Sequence, residues 1–140
     1  MVHALSEIRR VLAPEGVLID MRPLMEQWPV EASWSSGYAE AGHATDLPTA
    51  LADDVAANSA IAEAVRAGRL QREGEEVFPF FYYWDTPKEM QDYLAENWDD
   101  VIRVEEAAWA NLRSVWATAT ADARVRIRLK MLIARYQLQK

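Results

Sequence analysis

Ala4-Leu5-Ser6-Glu7-Ile8-Arg9-Arg10-Val11-Leu12-Ala13-Pro14-Glu15-Gly16-Val17-Leu18-Ile19-Asp20 is the stretch from which the fold can be read. Leu5, Ile8, Val11 and Leu12 recur at helical spacing, with Glu7, Arg9 and Arg10 on the other side, so residues 2–13 read as an amphipathic helix. Pro14-Glu15-Gly16 ends it, because proline cannot continue the hydrogen-bond ladder and glycine eases a sharp reversal. Val17-Leu18-Ile19-Asp20-Met21 follows as a short, nearly continuous apolar strand, a pattern expected where both faces are covered.

Reading outward, Arg22-Pro23 closes that strand, and residues 24–48 carry the weakest pattern. Val30 to Trp34 suits a short strand, and Gly37 and Gly42 suit a loop or hairpin. Asp46 or Thr49 can cap a helix that runs to about residue 67, with Leu51, Val55, Ile61, Ala62 and Val65 as its apolar side and Gly68 as its stop. Residues 69–84 read as extended, either as one run or as a hairpin turning at Gly74. Thr86-Pro87-Lys88-Glu89 is a capping box with proline at the first helical position, predicting a helix to about Asn97 that buries Met90, Tyr93 and Leu94. Val101 to Val104 suits a strand, and Trp109, Leu112, Val115 and Trp116 return to helical spacing. The tail then alternates Arg124, Arg126, Arg128 and Lys130 with Val125, Ile127, Leu129 and Met131, a period of two and therefore a strand.

Composition bounds the function classes. The 140 residues are 51% hydrophobic and 26% charged, with net charge −7 and no cysteine. That length suits one domain over residues 1–140, and the absent thiols exclude disulfides, cysteine-zinc sites and thiol catalysis. No run approaches the roughly 20 apolar residues of a membrane span, and no signal peptide is legible, so a cytoplasmic protein with no membrane partner is expected. The acidic balance disfavours nucleic acid as a partner. His3 and His43, the only histidines, are not at metal-ligand spacing, so no metal is expected. Adjacent acid pairs such as Asp99/Asp100 point in different directions and read as solvated charge. The six positive charges from Arg124 to Lys140 leave the rest of the chain strongly acidic. Their expected partner is therefore the chain's own acidic surface or a second subunit. Phe78, Phe80, Tyr82 and Trp84 alternate with Phe81 and Tyr83, which suits either core packing or an apolar pocket wall with polar groups to orient a ligand.

The stretch Ala4 to Asp20 resembles class I S-adenosylmethionine-dependent methyltransferases, which carry a helix of the form A-L-x-E-I-x-R-V-L, a P-G-G turn and then the fifth strand of a Rossmann-like sheet. Here Glu15 stands at the middle turn position. The resemblance implies an α/β fold, α+β by content: a partial Rossmann-like methyltransferase domain, its mixed sheet flanked by helices. Val101 to Val104 and Arg124 to Ile133 would be its closing antiparallel pair. In that family a glycine-rich turn and an acid in the first half grip the cofactor. Gly16, Gly37, Gly42, Gly68 and Gly74 form no GxGxG, so no cofactor-binding residue carries over. The chain reads as the C-terminal half, with S-adenosylmethionine entering only if an N-terminal half is supplied.

Two consequences are expected. Strand Val17 to Met21 loses a neighbour, so that edge should be covered by rearrangement or by a second copy of the chain, making a homodimer, and a missing N-terminal half is the other expected partner. The retained half should keep the substrate side, with Asp20, Arg22, Trp28, Tyr82, Tyr83 and Trp84 as pocket candidates for a small molecule. Arg22 could pair an anionic substrate bidentately or a structural acid; no catalytic residue is assigned. The expected function is a methyltransferase-related protein, inactive alone, with a non-catalytic ligand-binding or dimerisation module as the alternative.

Overall fold

The computed structural model describes residues 2–24 and 27–139, with side chains from residue 5 onward. The His3 and Lys140 side chains lie outside the described residues. In chain order the elements are α1 (Val2–Val11), β1 (Val17–Pro23), β2 (Trp28–Trp34), β3 (Gly37–Asp46), α2 (Pro48–Arg66), β4 (Leu70–Trp84), α3 (Pro87–Asn97), β5 (Ile102–Val104), α4 (Glu106–Trp116) and β6 (Arg124–Leu138). The strands hydrogen-bond as an antiparallel six-stranded sheet in the order β1-β6-β2-β3-β5, with β4 also on β6. The sheet is thus α+β in character rather than mixed as expected, because β2 and β3 close as a hairpin and β6 returns antiparallel to both β1 and β2.

Two compact units share these elements, and β4, β6 and the start of α2 contribute to both. The first comprises residues 1–24, 51–78 and 131–140. Its β1 pairs β6 from Val17↔Gln137 to Pro23↔Met131. Alternation puts Leu18, Ala134 and Tyr136 on one face, where they cluster with Leu5, Ala64, Leu70 and Leu138. The other face corrects the expectation of burial on both sides: Val17, Ile19 and Met21 are 39%, 53% and 61% exposed. The turn before β1 divides its demands between two residues. Glu15 takes the left-handed conformation (φ 65°), while a Cβ on Gly16 would meet the Ala13 carbonyl oxygen at 2.8 Å.

The second unit comprises residues 25–50 and 79–130. Val30, Ala32, Val125, Ile127 and Leu129 project from one sheet face and are buried with Met90, Leu94 and Leu112 of α3 and α4. A bulge at Ala41 shifts the β2–β3 register between Val30↔Gly42 and Glu31↔Glu40, and the freed Ala41 carbonyl accepts a hydrogen bond from Asn111 Nδ2 of α4 at 2.9 Å. Gly42 (φ 152°) then lies against α4, where an added Cβ would fall 2.6 Å from that of Ala108. The capping box forms with one change: Thr86 Oγ1 accepts from the Glu89 amide at 3.1 Å, but the Glu89 carboxylate accepts from Asp85 N, one residue earlier than the box requires.

Residues 70–84 are extended as expected and form one strand straight through Gly74, which has no positive φ and so makes no turn. Two further expectations are corrected. Ile102–Val104 pairs β3 rather than the tail, because Asp46↔Ile102 brings it against the end of the hairpin. Tyr93 remains 37% exposed while Met90 and Leu94 are buried.

Candidate functional site

The six pocket candidates fall into three separate settings. Asp20 and Arg22 lie two residues apart on the helix-covered face of β1, with Arg22 Nη2 3.1 Å from Asp20 Oδ2. Asp54 of α2 is drawn into the same electrostatic neighbourhood: partial burial raises its carboxyl above the ordinary range, Arg22 acts to lower it and Asp53 to raise it. Tyr136 is also pushed up, by burial first and then by the Asp20 charge. The nearest charged partner of Arg22 is therefore the chain's own acid. Its Nη1 is buried without a hydrogen-bond partner.

Trp28, Tyr82 and Trp84 belong to an aromatic cluster in the other unit whose hub is Trp98, at the C-terminus of α3. Tyr82 meets Trp98 edge-on at 4.7 Å, Tyr93 at 5.6 Å, Trp84 at 6.3 Å and Trp28 at 6.4 Å. Rings set edge to face in this way fill one another's space, so the cluster works as packing. Trp98 was not legible as its centre, because nothing in the sequence distinguishes it from the other tryptophans.

Tyr83 lies on the opposite face of β4, with the arginines of β6. Glu31 of β2 is fully buried opposite Arg126, whose Nε donates to its Oε2 at 2.6 Å. Arg128 Nε donates to Glu31 Oε1 at 2.9 Å. Burial acts to lower the Arg126 pKa, but the hydrogen bond to Tyr83 and the pairing with Glu31 outweigh it, raising it above the usual arginine value. The guanidinium also lies 4.6 Å from the Phe81 ring and 5.0 Å from Tyr38. Arg124 reaches Asp85 at 2.9 Å, and Arg135, in the first unit, reaches Glu73 at 2.8 Å. The arginines of the tail are answered by the chain's own acids. Both Glu31 oxygens are engaged and no solvent reaches them, so the pairs with Arg126 and Arg128 tie β2 to β6.

The clearest concavity was not anticipated. A cavity of about 190 Å³ in the first unit is walled by Leu5, Leu12, Leu18, Ala64, Leu70 and Leu138. Four polar residues also line it: Ser6, Arg9, Glu63 and Arg69. Arg69 Nη2 is 3.6 Å from the Glu63 carboxylate, whereas its Nε is buried with no hydrogen-bond partner. A shallower hollow of about 390 Å³ between α3 and α4 is lined by Trp109, Trp116, Lys88 and Arg113, whose cations are already paired with Asp92 and Glu106. The sequence signal for the first cavity was present in pieces: the apolar side of α1, and an arginine directly after the glycine that stops α2.

His43 Nε2 lies 3.4 Å from Glu40, and among the described residues no group of acids and histidines is placed to hold a metal ion. Among the described residues no helix is long and apolar enough to cross a membrane. Comparison with protein-family models, with curated proteins and with solved structures returned no match.

Proposed function

We propose that this chain is the substrate-side, C-terminal part of a class I S-adenosylmethionine-dependent methyltransferase of the cytoplasm. Completed by a glycine-rich N-terminal half, it would help transfer a methyl group to a small molecule. The single observation that carries this reading is the open edge of β1. That strand follows the helix and turn of the resemblance, has β6 as its one described neighbour, and leaves Val17, Ile19 and Met21 exposed. An apolar strand with a free edge is what a sheet presents where its next strand has been removed. Methyl transfer needs the sulfonium carbon held in line with its acceptor, and the Gly-x-Gly-x-Gly turn that grips the donor is not in this sequence. The isolated chain is therefore inactive in this reading.

Calorimetric titration with S-adenosylmethionine tests it. The chain alone gives no heat, whereas the chain joined to an in-frame upstream segment carrying a glycine-rich turn binds at micromolar concentration. Micromolar binding by the chain alone would refute the assignment.

The same edge supports a second reading, a non-catalytic module in which a second copy covers β1. Light scattering at micromolar protein then gives twice the monomer mass, and Ile19→Lys returns it to one. The packed Trp98 cluster argues against the aromatic-pocket form of that alternative, since its rings occupy the space a ligand would need.

A further inference from the structure

We propose that the cavity beneath α1 is a binding site for a short, singly charged carboxylate with an apolar tail. Size comes first. A dry cavity of roughly 150 Å³ holds the six carbons of benzene, so about 190 Å³ holds about eight non-hydrogen atoms. A wall of leucines and alanines favours an apolar body there, and such a ligand needs only one polar end.

Charge supplies that end. Arg9 and Arg69 both line the cavity against a single acid, Glu63, and Arg9 has no ion pair among the described residues. One carboxylate closes that imbalance. Arg69 is also held from both sides along its main chain, its amide donating to the Ala64 carbonyl at 2.9 Å and its own carbonyl accepting from Gln139 at 3.0 Å. Its backbone is thus anchored, while the buried Nε–H has nothing to donate to. A buried donor without an acceptor is destabilising, and a carboxylate oxygen is the acceptor that gains most from a charged N–H. A neutral alcohol would fill the volume without answering the charge, and an amine would meet two guanidinium groups.

The site does not depend on methyl transfer, and its assay contains no methyl donor, so the two readings stand or fall separately. Hexanoate, hexan-1-ol and hexylamine are titrated into the full chain by calorimetry. Hexanoate binds at least about tenfold more tightly than hexanol, and hexylamine does not bind. Arg69→Gln lowers hexanoate affinity to the hexanol level and leaves hexanol unchanged. Ala64→Leu, which fills the cavity, removes both. Should that variant unfold, contacts between hexanoate protons and the Leu12 and Leu138 methyl groups of the unmodified chain are read by nuclear Overhauser effects. No hexanoate binding at millimolar concentration, equal binding of acid and alcohol, or contacts to other methyl groups would overturn the proposal.

Discussion

At the residue scale, the clearest departures from sequence expectation concern backbone geometry. Glu15 holds a left-handed conformation that costs an L-residue about 1–2 kcal/mol, and its side chain is exposed. Glu15→Gly should therefore raise stability by about 1 kcal/mol in urea unfolding, after allowance for the freer unfolded chain. Gly42 behaves in the opposite sense. Gly42→Ala drives a methyl into Ala108 and strains a positive φ, lowering stability by at least about 2 kcal/mol. Neither was legible, since sequence marks where a turn lies but not which of its residues bears the strain. Asp122 gives a pH signature. Hydrogen bonds from Thr120 first, and from the Ser35 amide and side chain, hold its carboxyl down at about 2, below the ordinary 3.8. A carboxyl held low in the folded state stabilises above its ordinary pKa and loses that contribution as pH falls toward 2. Asp122→Asn should flatten the unfolding midpoint across that acid range and change little of its slope at neutral pH.

At the element scale, periodicity guided the reading of some elements and failed at β1 and α2, where Val17, Ile19, Met21, Leu51, Val55 and Val65 are exposed and α2 buries Ala57, Ala60 and Ala64 instead. The helix at Thr86, the amphipathic α4 and the alternating tail were all legible because core and solvent sides differ in chemistry. β4 was ambiguous because its aromatic run and its glycine permit a turn as readily as a strand. Glu31 shows what such reading misses. Its neighbours mark a strand, but the need for a buried carboxylate becomes clear only when β6 lies beside β2 and Arg126 comes opposite. Glu31→Ala leaves Arg126 without its acid in a closed setting and should cost about 3–5 kcal/mol by chemical denaturation. Replacing Glu31 and Arg126 together by leucine should cost much less, because no charge is then stranded and the partly exposed Arg128 can turn to water.

At the scale of the whole molecule, the two units differ in how much they bury. Among the described residues, one core gathers thirteen buried residues around Trp28, Leu112 and Ile127, whereas the other gathers four around Ala64 and Tyr136. Opening free energies follow burial. Native-state hydrogen exchange should therefore find the amides of α1 and of residues 51–66 at least about tenfold less protected than those of β2 and residues 124–129. Equal protection would count against the division. Composition could not have supplied this contrast, because each unit is assembled from separated segments. The same interleaving bears on biosynthesis. β1, β2 and β4 each take hydrogen bonds from β6, yet β6 is translated after all three. Until that strand clears the ribosome, β1 and β4 have no strand to pair with and β2 has only β3, so a nascent chain would need chaperone shelter and a product cut short before Arg124 would be destined for degradation.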